Sequence, residues 1–396
     1  MNRFLVADYR PTETDVVVSY TIQPLRNDSF HECLHELGAF LGFSITRPLK
    51  IFDLHQESFA CKIAYPEAYF ESENLPQNLS VIGGKIFEFP QATSIKIRDI
   101  FWPKNLEKAF SGPLKGIHQL RAEMNIWERP LSCGMLLPHS SATIKECLEK
   151  SYLMWMGGCD MVMDSDMMTA ARGEKFEDRI DFLSNEMVNC ESRSKSAKRY
   201  IPNITAGTIS ELQQRAQHAK KAGVNIVALN GIQAGWNGIL SGLKICHELH
   251  LDLMVHQQGI GHITRGSFGW STAALAKIYR MIGVEFLALD ASLPDIDQAI
   301  ENLTSFQELI KTTFPIYTKD THPAEIEQIL KHHGYDLVLQ IGNGIEQHPD
   351  GVKAGAEALQ YAIEMATQGI ELDAAIKKNE PLRRAVENWS RMIPSA

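Results

Sequence analysis

No two cysteines in this chain are spaced C-x-x-C. All seven stand far apart, at 33, 61, 133, 147, 159, 190 and 246, an odd number that suits neither a disulfide framework nor a zinc ribbon. They read as reduced core thiols. No apolar run approaches the roughly 18 residues that a membrane helix needs, and the amino terminus, MNRFLVADYR, reaches Asp8 before an apolar leader can form. We therefore expect a cytoplasmic protein without a membrane partner. A basic surplus is missing too: 39 Lys and Arg stand against 48 Asp and Glu, scattered along the chain, for a net charge of −9. That balance argues against a nucleic-acid partner. What remains is 396 residues, 44% hydrophobic and 22% charged, an ordinary globular composition with room for one large domain and a smaller one.

Residues 1–118 mix their signals. Strand patterns at 15–22, 51–54, 58–65 and 95–100 are interrupted by a helical pattern at 30–41. This irregular order fits a small α+β domain better than a wound parallel sheet.

Residues 119–396 have a different texture. Strands read at 131–137, 159–163, 199–205, 224–230, 251–257, 284–289, 314–318 and 336–341. Helical patterns follow near 141–156, 174–188, 208–222, 235–248, 271–282, 294–311, 323–333 and 353–368. This strand–helix alternation is what a (β/α)8 TIM barrel requires, so the expected fold class is α/β, a carboxyl-terminal barrel with a smaller amino-terminal α+β domain. Local chemistry agrees. Thr208 and Glu211 form a capping box, Leu212, Ala216 and Ala219 a buried stripe, and Gly223 a stop before the next strand.

In a parallel α/β fold, chemistry sits where strands leave the sheet. The stretch from Gly157 to Asp166 is such a place: an apolar strand ends in Met163, Asp164, Ser165 and Asp166. Strand alternation puts Asp164 on the face opposite Met163 and Ser165, which favours a structural hydrogen bond for it. Asp160 reads as structural for a similar reason. Asp166 is the candidate for function.

Several motifs, in order and spacing, resemble the large subunit of ribulose-bisphosphate carboxylase and its relatives. They include Gly112-Pro113-x-x-Gly116-Ile117, Arg129-Pro130-Leu131, Gly157-Gly158-x-Asp160, Asn203-x-Thr205-Ala206-Gly207-Thr208, Gln340-x-Gly342-x-Gly344 and His348-Pro349-x-Gly351. The resemblance implies an obligate homodimer, or a multiple of one, whose active sites lie between one barrel and the partner's amino-terminal domain. It also implies a second strand ending in Lys-Asp-Asp-Glu, with a carbamylated lysine that binds Mg²⁺. Here those positions are Met163, Asp164, Ser165 and Asp166. A thioether forms no carbamate. Mg²⁺ stays open as a cofactor, with Asp166 and Asp164 weighed as its ligands, and no cofactor is assigned.

Other implied positions depart as well. The family's Lys-Pro-Lys after strand one is Leu137-Pro138-His139, its His-Arg after strand five is His256-Gln257, and its Ser-Gly-Gly after strand seven is Thr318-Lys319-Asp320. These departures place the chain, as an expectation, in the divergent, non-carboxylating RuBisCO-like branch (form IV). The expected activity is proton transfer of the enolase, isomerase or epimerase type, on a small sugar-derived or thio-sugar carbonyl substrate with at most one phosphate. His139, Asp166 and His256 would be the catalytic groups, because a neutral imidazole takes and returns a proton near pH 7. Gln257, Thr318, Lys319, Gly342, Asn343 and Gly344 would bind substrate. Two alternatives stand beside this reading: a catalytically inactive binding or regulatory dimer, and new biosynthetic chemistry in the barrel cavity.

Overall fold

The computed structural model describes residues 4–25, 29–42, 48–137, 143–168, 175–319 and 321–392. The chain divides into two compact units. One comprises Met1–Leu114, Gly259–Gly283 and Leu293–Lys311, and the other Lys115–Gln258, Val284–Ser292 and Thr312–Ala396.

The first unit is built on strands β1 (Val16–Pro24), β2 (Lys50–His55), β3 (Ala60–Tyr65) and β4 (Ala92–Phe101), close to the expected spans. Its helix Phe30–Leu41 starts where a capping box dictates, with Ser29 accepting from the Glu32 N–H and Glu32 reaching back to Ser29. The sequence did not reveal a helix at Leu75–Gly83, nor a fifth strand that joins the sheet from a later part of the chain.

Eight parallel strands make the barrel of the second unit. They are β5 (Leu131–Leu136), β6 (Met161–Asp164), β7 (Arg199–Ile201), β8 (Ile226–Asn230) and β9 (Asp252–His256), followed after β10 by β11 (Phe286–Asp290), β12 (Phe314–Thr318) and β13 (Val338–Ile341). The strand β10 (Phe268–Trp270) belongs instead to the first unit, as the parallel neighbour of β4, giving the order β10-β4-β1-β3-β2 there. The barrel order is β7-β6-β5-β13-β12-β11-β9-β8, closed by a parallel bridge between Asn203 and Ala228. The expected strand 199–205 therefore stops early: Pro202 has no N–H to give, and the chain beyond it contributes that bridge rather than a ladder.

Alternation along the strands fills the interior. Leu131, Cys133, Met161, Met163, Ile201, Met254, Phe286, Phe314 and Val338 share one buried cluster, and Ile117, Leu120 and Met124 of helix Gly116–Met124 extend it. Phe286 and Phe314 stack at 5.7 Å. The helix expected at 235–248 runs over Gly231–Leu249, broken at Gly235, whose φ of 66° only glycine adopts without strain.

Near the start of β6 the chain buries an ion pair. Asp160 accepts from Arg129 Nη1 and Nη2 at 2.7 and 2.8 Å, and from the Ser132 N–H and hydroxyl at 2.9 and 3.0 Å. Its structural reading follows directly. Removing one partner of a buried pair strands the other, so Asp160→Ala is expected to cost about 3 kcal/mol in urea denaturation. A loss below about 1 kcal/mol would show that water already satisfies Arg129.

Candidate functional site at the carboxyl end of the barrel

The carboxyl ends of the strands carry a ring of polar side chains above the apolar interior. β6 sends Met163 into the barrel core and turns Asp164 to the opposite face, as alternation requires. Asp164 is wholly buried there. Arg179 Nη2 donates to it at 3.1 Å, the Tyr200 hydroxyl at 2.9 Å and the Asn203 backbone N–H at 3.2 Å. Burial, and after it the Asp164 charge, pushes the Tyr200 hydroxyl well above its usual range, which keeps it a donor.

Asp166, two residues beyond β6, faces three nitrogen donors. Asn203 Nδ2 donates to Oδ1 at 2.8 Å, Asn230 Nδ2 to Oδ2 at 3.0 Å, and His256 Nδ1 makes a very close contact with Oδ2. Neither asparagine amide is free to turn over. The Thr205 N–H donates to Asn203 Oδ1 and the Gln233 N–H to Asn230 Oδ1, each at 2.9 Å. His256 Nε2 is buried and has no hydrogen-bond partner among the described residues.

The structure thus brings Asp166 and His256 together. The third expected catalytic group, His139, lies outside the described residues, as does Asp320. Gln257 is buried with both amide atoms unpartnered among the described residues, which leaves its polar groups available to a ligand. Thr318 is committed elsewhere, its hydroxyl donating to the Leu289 carbonyl at 2.9 Å. Lys319 pairs with Glu325 at 3.0 Å. In the eighth-strand turn, Gly342 accepts from the N–H groups of Ile345 and Glu346, both at 3.0 Å, and Asn343 Oδ1 accepts from Gln347 Nε2 at 3.3 Å. A Cβ on Gly344 would lie 2.5 Å from the Thr321 carbonyl oxygen, so that position tolerates only glycine.

Three side chains were missed as members of the site. Asn203 and Gln340 were noted only as parts of motifs, and Asn230 was passed over, although it ends an apolar strand with the inward parity of Ile226 and Ala228. Gln340 Nε2 donates to Met163 Sδ at 2.7 Å, and its Oε1 has no partner among the described residues. At the centre of the barrel, an amide–thioether contact stands where the resemblance implies a carbamate.

Among the described residues, the donor set does not fit Mg²⁺. That ion asks for near-octahedral oxygen ligands, at least one or two of them carboxylates. Asp164 is sealed behind the sheet with Arg179, Asp166 is enclosed by N–H donors, and position 163 offers sulfur. Mg²⁺ with bicarbonate should therefore leave the melting temperature unchanged. A ligand at a hundredfold excess over its Kd would add about 2.7 kcal/mol. An upward shift of several degrees that disappears in Asp166→Ala would disprove this.

A closed barrel of eight parallel strands, with Asp166 and His256 together at its carboxyl mouth, defines an enzyme scaffold of the (β/α)8 class. The chain belongs to the ribulose bisphosphate carboxylase large chain family: the catalytic-domain model of that family matches residues 116–307 and 293–389, and the amino-terminal-domain model matches 45–106. Ribulose bisphosphate carboxylase of Pyrococcus furiosus is 28% identical over 412 residues, covering 99% of this chain and 98% of the relative. That of Methanocaldococcus jannaschii is 32% identical over 352 residues, covering 83% and 82%. The octameric carboxylase/oxygenase of Pyrococcus horikoshii superposes with a TM-score of 0.90 at 27% identity, over 99% of this chain and 97% of that one.

These matches correct the expectation drawn from the site. A protein that is not a ribulose bisphosphate carboxylase, acting as an enolase-, isomerase- or epimerase-type enzyme or surviving as an inactive dimer, was expected from a handful of substituted positions. The relatives matched end to end are ribulose bisphosphate carboxylases, and they point to a carboxylase. A substituted position shows which ligand has been lost; it does not define the reaction.

Proposed function

We propose that this chain is a carboxylase-type enzyme acting on ribulose bisphosphate, the compound in the names of its relatives, at the carboxyl end of its barrel. The end-to-end match to those relatives carries the reading. The site supplies a group suited to the first step, removal of a proton next to a carbonyl. His256 Nε2 accepts that proton, and Asp166, beside Nδ1, steadies the imidazolium that forms. Gln257 and Gln340 are the neighbouring amides with uncommitted polar atoms for substrate oxygens. The reading makes one demand of the chain, because Met163 forms no carbamate: carboxylation has to proceed without it.

Labelled carbon dioxide supplied with ribulose bisphosphate should be fixed by the purified protein, and His256→Ala should lower the rate by about a hundredfold or more, the usual weight of a positioned acid–base group. Pre-incubation with Mg²⁺ and bicarbonate should make no difference to it. No incorporation above the His256→Ala control would sink the carboxylase reading.

We also propose a homodimer or a multiple of one. The Pyrococcus horikoshii relative is octameric, and a Hyperthermus butylicus protein of the same fold, 24% identical with a TM-score of 0.87, is dimeric. Closed symmetric homo-oligomers, dimers above all, are the commonest soluble assemblies. Light scattering at micromolar concentration should give at least twice the 44.5 kDa chain mass. A monomer would refute it.

A further inference from the structure

The arrangement around Asp166 does more than place a carboxylate beside a histidine. Asn203 and Asn230 arrive from the ends of β7 and β8, and each has its amide oxygen held by a backbone N–H, from Thr205 and Gln233 respectively. An amide whose oxygen is fixed can only turn its NH₂ toward the remaining neighbour. Both NH₂ groups therefore point at Asp166, one at each oxygen. The carboxylate cannot swing away without breaking two hydrogen bonds of ordinary length.

We propose that Asn203 and Asn230 are positioning residues that lock His256, through Asp166, in the tautomer with its proton on Nδ1, so that Nε2 is presented to the substrate as the proton acceptor. This deepens the reading given under Proposed function and rests on it for the substrate. The tautomer follows from the acceptor: a carboxylate oxygen in close contact with Nδ1 requires a proton between them, and a neutral imidazole then has its lone pair on Nε2. Fixing which nitrogen carries the proton is the task of the group behind a catalytic histidine. Among the described residues, two further carboxylates near the strand ends are engaged elsewhere. Asp290, at the end of the adjacent β11, accepts from the Ser292 N–H and hydroxyl at 2.9 and 2.6 Å, and Asp164 is held by Arg179.

The substitutions Asn203→Asp and Asn230→Asp isolate this function. Aspartate keeps an oxygen for the Thr205 or Gln233 N–H, so the turn and the helix cap survive, while the donor to Asp166 becomes a second carboxylate. Asn230→Ser keeps the cap without adding charge and guards against a variant that fails to fold. The full chain, labelled with nitrogen-15 in its histidine rings and assigned with His256→Gln, would be titrated by NMR. The wild type should show a protonated Nδ1 and a bare Nε2. Each aspartate variant should raise the His256 midpoint by about one pH unit, because an added negative charge nearby stabilises the imidazolium. Ribulose bisphosphate turnover should fall about tenfold or more in kcat with KM changed less than twofold, because positioning acts on the proton transfer. Asn230→Ser should lie between the wild type and Asn230→Asp in kcat.

A wild-type His256 carrying its proton on Nε2 overturns the proposal, and so do aspartate variants with an unmoved midpoint. Absence of any wild-type turnover defeats the carboxylase reading alone. The tautomer and midpoint then decide the positioning role by themselves.

Discussion

The barrel closes through Asn203, and the site depends on the same residue. Between β7 and β8 the ladder thins to a bridge, in which Ala228 donates to the Pro202 carbonyl and accepts from the Ile204 N–H. Asn203 sits inside that bridge. Its backbone N–H reaches Asp164 behind the sheet and its side chain reaches Asp166 at the mouth. Barrel closure, one hydrogen bond to the buried Asp164 and the orientation of the Asp166 carboxylate thus meet in one short segment that proline keeps from becoming ordinary strand.

The same economy shows on the two faces of β6. Period-two alternation sends Met163 inward and Asp164 outward, so one strand serves the apolar core and a polar network behind it without conflict. Asp166 escapes both because it lies past the last ladder pair, where the chain is free to bend back over the barrel mouth. A carboxylate inside the strand could not have met side chains from β7, β8 and β9 together.

Much of this was legible in the sequence, and the reasons differ by element. The barrel strands were readable because buried parallel strands are short apolar runs and the helices between them carry caps and stripes; Thr208 and Leu212 are examples. The opposite facing of Met163 and Asp164 followed from alternation alone. Partner choice across strands was not readable. Asn203 and Asn230 meet Asp166 across 37 and 64 residues of sequence, and Gln340 meets Met163 across 177. Nothing local marks such pairs. The reaction was misjudged although the family was legible in motifs from Gly112 to Gly351: the absent lysines were given more weight than that long likeness, and the relatives matched end to end are carboxylases.

The contact between Gln340 and Met163 limits what position 163 could accept. A lysine placed at position 163 would lie in a fully enclosed place, with the Gln340 side-chain amide as its neighbour and both nearby carboxylates already engaged. Burial would favour the neutral amine, the form that reacts with carbon dioxide, yet Arg179, the cation nearest β6 in the Asp164 network, is spent on the far face of the sheet. A lysine alone would therefore not give this barrel a carbamate site, because Asp166 is already taken by Asn203 and Asn230 and Asp164 by Arg179.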